Sequence, residues 1–221
     1  MVPSQHLWGQ PRQTIGQTLA VFIIIFTSAS CRPPVDPRLA QQFATTCTEL
    51  ANAATQRSTG TVIGLDGWYF SAAELQHVGA ASLAGSSVGD DAVSSVMTVK
   101  HQLDDAGIEL LLVPVPPKSI IYPDRVSADL AIPIPVPRLD AALEAIYTRL
   151  RKHGVNVLDL TDRFIRDRFH PEGPLYCRQD SHWSGTGCVV AADAITEVVS
   201  QRPWASLLES PSVEPRWYAT A

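Results

Sequence analysis

Asp180 and His182 stand two residues apart in the segment Tyr176-Cys177-Arg178-Gln179-Asp180-Ser181-His182-Trp183. Side chains at that spacing do not share a helix face but do share one in extended backbone, so the pair belongs to a strand or loop. There the carboxylate can take the imidazole Nδ1–H, fix the tautomer and stabilise the imidazolium, leaving Nε2 outward as a base for a hydroxyl nucleophile. A plain alternative is a helix-start turn in which Asp180 or Ser184 caps the next helix. Arg178 stands either to bind an anionic ligand or to pair with Asp180, and Trp183 to pack beneath His182. Lys118 and Tyr122, just after an apolar run, either line a ligand site or are a solvated lysine and a packed turn. Lys118, Tyr122, Arg178 and Trp183 are thus the substrate-side candidates. Cys177 and Cys188 bracket the acid–base pair and are expected to bridge if the chain is exported, the alternative being small buried thiols. The remaining histidines, His6, His77, His101, His153 and His170, have no metal-ligand spacing. No metal and no cofactor is implied.

The elements that must carry these residues alternate. Leu39–Gln56 has helical spacing, and Thr61–Phe70 reads as a β pair around Asp66-Gly67, a strong hairpin signal. Gly79–Asp90 reads as loop and Asp91–Ala106 as helix. Ile108–Val115 is a run of mostly branched apolar residues, as in a strand buried on both faces, and prolines 114, 116 and 117 stop it. A helix over Arg138–His153, a strand over Val155–Leu160, a helix over Thr161–Arg168, a short strand near Leu175-Tyr176 and a helix over Ser184–Ser200 complete the series. This order predicts a doubly wound, mainly parallel α/β sheet in a three-layer sandwich. Ligands of such sheets bind beyond the carboxyl ends of the strands, where both candidate clusters stand.

The net charge of -5 leaves no basic stripe for phosphates and argues against nucleic acid as a partner. The apolar run Leu19–Phe26, followed by Thr27-Ser28-Ala29-Ser30-Cys31, has a signal-peptide layout. It is shorter than the roughly 20 residues of a bilayer span. Export to the periplasm or cell envelope is expected, by plain cleavage or with lipid attachment at Cys31, which would tether the N-terminus to a membrane.

Three blocks, in order, resemble the AlgX/AlgJ family of alginate O-acetyltransferases. TVIGLDGWYF (61–70) is similar to its "GkDGWLF" motif, LLVPVPPKSIIYPD (111–124) to "vPvPxKxxiYP", and YCRQDSHWSGTGCVVAA (176–192) to "D[ST]HW…G…AA". The resemblance implies an SGNH-hydrolase-like domain with a Ser-His-Asp acyl-enzyme, Asp180 as orienting acid and His182 as general base. It also implies a polysaccharide or other sugar acceptor and an acetyl donor, with a membrane-bound O-acyltransferase as one source. The family's nucleophilic serine block is not recognisable. Gly89-Asp90-Asp91 matches Gly-Asp-Ser only in outline, Ser206, Ser210 and Ser212 lie in a proline-bearing tail, and Ser86, Ser87 and Ser119 read as loop or cap hydroxyls. The expectation is a signal over 1–31, a tether and helix over 32–58, an SGNH-like domain over 59–202, incomplete at its C-terminus, and a tail over 203–221. A truncated or split gene, a nucleophile from another chain and a non-catalytic descendant all fit. So does a non-catalytic carbohydrate-binding or assembly subunit of an exopolysaccharide complex, and an esterase with an unrelated serine.

Overall fold

In the computed structural model, residues 35–83 and 89–207 are described. The Leu19–Phe26 run, Cys31, Ser86, Ser87, Ser210 and Ser212 lie outside them. Helix α1 (Pro37–Gln56) starts where the Asp36 carboxylate accepts the Arg38 N–H and Pro37 supplies a pre-set φ. Its buried stripe, Phe43, Cys47, Ala51 and Ala54, recurs every three or four residues and enters the main core. The segment expected as tether and helix therefore contributes its helix to the domain itself. Strands β1 (Thr61–Ile63) and β2 (Tyr69–Ser71) pair antiparallel around a 3₁₀ turn at Leu65–Gly67. Asp66 and Gly67 both take positive φ there, 51° and 74°, as the Asp-Gly signal requires. Trp68 and Phe70 are buried behind the turn.

Helix α2 (Ala72–Leu83) runs through the first part of the segment expected to be loop. Gly79 explains the error. A Cβ there would lie 2.2 Å from Thr48 Oγ1 and 2.8 Å from the Ala44 carbonyl, so the glycine is the point where α1 and α2 touch rather than a break in a helix. Helix α3 (Asp90–Asp105) follows, then strand β3 (Leu111–Leu112) and the short helix α4 (Lys118–Ile121). Helix α5 (Ala141–Lys152) leads to strand β4 (Asn156–Val157), parallel to β3, and to helix α6 (Thr161–Asp167). The expected helix start at Arg138 fails because Arg138 is drawn inward. Its guanidinium grips the Asp140 carboxylate through two nitrogens, at 2.6 and 3.0 Å, and reaches Asp159 at 2.7 Å. Burial pushes the Asp140 carboxyl up, against the lowering influence of Arg138. Strands β5 (Phe169–His170) and β6 (Gly173–Pro174) form an antiparallel pair before helix α7 (Gly185–Val199).

The doubly wound, mainly parallel sheet is not what forms among the described residues: of three two-stranded ladders, only β3–β4 is parallel. A parallel sheet grows by helical crossovers, and these residues contain a single one, from β3 to β4. The prolines after Leu112 lack the N–H that would extend the ladder. The main core gathers α1, α2, α4, α6 and α7 around Phe43, Phe70, Leu75, Ile121, Phe164 and Leu175. A smaller cluster, Val93, Leu150 and Val155, joins α3 and α5 to the parallel pair.

Candidate active site

A single antiparallel bridge between Tyr176 and Trp183 closes the loop that carries the acid–base pair. Within it the Cys177 N–H donates to the His182 carbonyl at 3.1 Å, and one carboxylate oxygen of Asp180 accepts twice from His182. The backbone N–H lies at 3.0 Å and ring Nδ1 at 2.6 Å. The pair meets in a turn closed by the carboxylate rather than in extended backbone, since Asp side chains readily take the N–H two residues on. A carboxylate only accepts, so Nδ1 bears a proton, and in the neutral ring Nε2 carries the free lone pair. The ring hydrogen bond, then the backbone one, hold the Asp180 carboxyl below its ordinary value. The pair is open to solvent: the side chain of His182 is 85% exposed and that of Asp180 57%.

Beneath the loop lies Lys118, which has no exposed surface. Its Nζ donates to the carbonyls of Tyr69 at 2.6 Å, Cys177 at 2.8 Å, Asp180 at 2.9 Å and Arg178 at 3.0 Å. It sits 4.9 Å from the Trp68 ring centroid and 5.2 Å from that of Phe70. Burial lowers its pKa from 10.5 to about 8, against the opposing influence of Glu74, Cys177 and Asp180. The Tyr69 N–H donates to Arg178 O at 2.8 Å, so strand β2 pins the loop as well. The expectation that Lys118 meets substrate is corrected: its ammonium is consumed by backbone carbonyls. Tyr122 is likewise fully buried, its hydroxyl donating to Arg168 O at 2.6 Å and accepting from Leu175 N–H at 2.9 Å.

Trp183 packs on Phe164 at 5.2 Å between ring centroids, and its Nε1–H donates to the Tyr176 hydroxyl at 2.9 Å. That hydroxyl donates to the Pro116 carbonyl, which ties the loop to the segment after β3. Trp183 is thus a strut rather than a sugar platform. Arg178 makes no ion pair with Asp180, whose oxygen His182 occupies. It lines a cavity of about 410 Å³ with Asp66, Trp68, Arg125, Phe169 and His170. Asp180 and Ser181 border a second, of about 260 Å³, with Tyr69 and Ser71. His182 lines neither.

The expected bridge does not form: Cys177 and Cys188 are both free and exposed. Cys177 directs its sulfur to the Trp183 carbonyl at 3.6 Å, whereas Cys188 lies on the first turn of α7, its N–H on Ser184 O. Ser119 is buried and donates to Glu74 at 2.9 Å. Ser184 caps α7, its oxygen accepting from Gly187 N–H at 3.1 Å, and Ser206 donates to Pro203 O at 3.1 Å. Gly89-Asp90-Asp91 is the start of α3, with Asp90 paired to Arg149 at 2.6 Å. No serine hydroxyl bonds the His182 ring among the described residues, and no cluster of acidic, His or Cys side chains there could hold a metal.

Glu74 escaped the sequence reading. Its carboxylate accepts the backbone N–H groups of Lys118 and Ser119, at 3.1 and 3.0 Å, as well as the Ser119 hydroxyl. No spacing announces a contact across 44 residues of chain.

A family model described as an SGNH hydrolase-like domain, acetyltransferase AlgX, matches residues 61–221. The chain is 27% identical over 151 residues to a probable alginate O-acetylase AlgJ of Pseudomonas aeruginosa, covering 68% of this chain and 34% of that one. The Pseudomonas putida AlgJ is 26% identical over 143 residues, 65% and 34% of the two chains. The chain thus spans about a third of the length of the curated relatives it matches. The solved O-acetyltransferase domain of Pseudomonas putida AlgJ superposes with a TM-score of 0.53 at 26% identity, over 68% of this chain and 50% of that one. With a likeness that runs from β1 through the acid–base loop, this chain belongs to the AlgX family of SGNH hydrolase-like acetyltransferases.

Proposed function

We propose that the chain carries the Asp–His half of a Ser-His-Asp acyl-transfer site that O-acetylates a polysaccharide outside the cytoplasm. The observation that supports it most directly is the 2.6 Å Asp180–His182 contact, which leaves Nε2 free at the surface. In this reading a serine from outside the described residues, on a longer form of the polypeptide or on a second chain, docks against Nε2. His182 takes the serine proton as the hydroxyl attacks the donor's acetyl carbonyl, and returns a proton to the departing group. It then deprotonates the sugar hydroxyl that attacks the acetyl-serine, and passes that proton to the serine oxygen as its bond to the acetyl group breaks. Asp180 holds the ring and stabilises the imidazolium. Arg178, beside Trp68 and Phe169 at the larger cavity, is the substrate-side residue that the geometry leaves free.

A second reading, a non-catalytic carbohydrate-binding subunit, draws on the exposure of the pair and on that aromatic- and arginine-lined cavity. Two measurements separate the readings. His182→Ala at the chromosomal locus should abolish ester-linked acetate in the exported polysaccharide, and acetate unchanged from wild type would sink the catalytic reading. The purified chain should hydrolyse p-nitrophenyl acetate barely above background, because triad members act as a unit. Robust turnover lost in His182→Ala, with fluorophosphonate labelling of a serine in this chain, would show that the nucleophile is already present.

A further inference from the structure

We propose that Lys118 is the positioning residue of the acid–base pair, its ammonium being the cation around which the Cys177–Asp180 turn is wrapped. The inference rests on the reading of Asp180 and His182 as that pair. Three carbonyls of one turn, those of Cys177, Arg178 and Asp180, converge on Nζ, and a fourth, that of Tyr69, arrives from β2. Four acceptors on one nitrogen require all three N–H donors of the charged form, one of them shared. A neutral amine would offer two donors and turn its lone pair toward a carbonyl oxygen. Among the described residues no carboxylate contacts Nζ: the oxygens of Glu74, the nearest acid from α2, are occupied by the backbone of Lys118 and Ser119 and by the Ser119 hydroxyl. The charge is therefore balanced by the carbonyl dipoles and the faces of Trp68 and Phe70. Turn and cation depend on each other, since a turn that relaxed away would strand a buried, unpaired ammonium. Asp180 lends its carbonyl to Lys118 and its carboxylate to His182, so the clamp fixes where the imidazole is held.

The groups facing Nζ are Glu74 from α2, Cys177 and Asp180 from the turn, and the rings of Trp68 and Phe70 beside β2. The depressed pKa, about 8, places loss of the cation within an accessible range. Two readouts that do not use activity test the clamp. Nitrogen-15 NMR of the His182 ring should show the Nδ1–H tautomer in the wild-type chain and in Leu150→Ala, a destabilised control in the smaller core. Lys118→Met, which keeps the stem but removes charge and donors, should lose that preference and show the mixture of a free imidazole. In the unsubstituted chain, the carbonyl carbon shifts of Tyr69, Cys177, Arg178 and Asp180 should titrate together with one midpoint near 8. A Lys118→Met chain that keeps the wild-type tautomer would overturn the proposal, as would four carbonyls that move at separate midpoints or stay unmoved while the Lys118 ammonium, followed by its own nitrogen-15 shift, loses its proton. If Lys118→Met does not fold, the carbonyl titration alone decides. A failed acyl-transfer reading is recognised separately, by a held tautomer and a common midpoint in a protein whose His182→Ala variant leaves polysaccharide acetate unchanged.

Discussion

Substituting Gly187 sets two effects of opposite sign against each other at the helix that follows the acid–base loop. Gly187 lies in the first turn of α7, where alanine is favoured over glycine by about 1 kcal/mol. Its ideal Cβ, however, would stand 2.1 Å from the Leu175 carbonyl oxygen, 3.1 Å from that carbonyl carbon and 3.3 Å from Trp183 Cβ. The first two are backbone and cannot rotate aside, so α7 has to move away from Leu175. That movement stretches the 2.9 Å hydrogen bond from Ser184 N–H to Leu175 O, which contributes about 1 kcal/mol. Overpacking of this kind costs roughly 1–3 kcal/mol. Strain plus the lost bond exceed the helical gain, and Gly187→Ala should lower stability by about 2 kcal/mol. For a domain of this size that is a fall of about 4–8 °C in Tm. Gly185, one turn edge earlier, has nothing within 4 Å of its ideal Cβ, and Gly185→Ala should leave stability unchanged or raise it by up to about 1 kcal/mol. Urea unfolding of the two variants beside wild type reads the difference. If Gly187→Ala proves as stable as Gly185→Ala, the close approach of α7 to Leu175 is not what holds Ser184 and the loop before it in place.

Two further outcomes are expected. Arg138→Met leaves buried Asp140 and half-buried Asp159 without their cation and should cost about 3–5 kcal/mol at neutral pH. Burial raises the Asp140 carboxyl, so the folded chain takes up that proton before the unfolded one does as pH falls. The deficit measured by denaturant unfolding should therefore shrink toward pH 5, and a deficit under 1 kcal/mol, or one constant with pH, would contradict this account. Mass analysis of the protein from expressing cells should show loss of the residues before about Cys31, and an intact Met1 on a cytoplasmic product would refute export.

The sequence by itself carried whatever depends on neighbours along the chain. The Asp66-Gly67 turn, the helix at Leu39–Gln56 and Ser184 as one of two candidate caps of α7 were legible because their physics lies within a few residues. Asp180 and His182 were legible for the same reason, since two residues separate a carboxylate from the ring it binds. Contacts between distant segments were not. Gly79 read as a loop because only the face of α1 shows why a helix needs a glycine there. Arg138 read as the start of a helix because the acids that draw it inward are fixed by folding. Cys177 and Cys188 suggested a bridge by flanking the loop, yet both thiols are free, and that of Cys177 is turned to the Trp183 carbonyl. Lys118 read as a solvated or substrate-facing lysine, and the tertiary structure made it the reverse, a buried cation under four carbonyls drawn from two segments. A charge can be buried only where enough dipoles converge to replace its water, and that convergence is a property of the folded chain that no local spacing records.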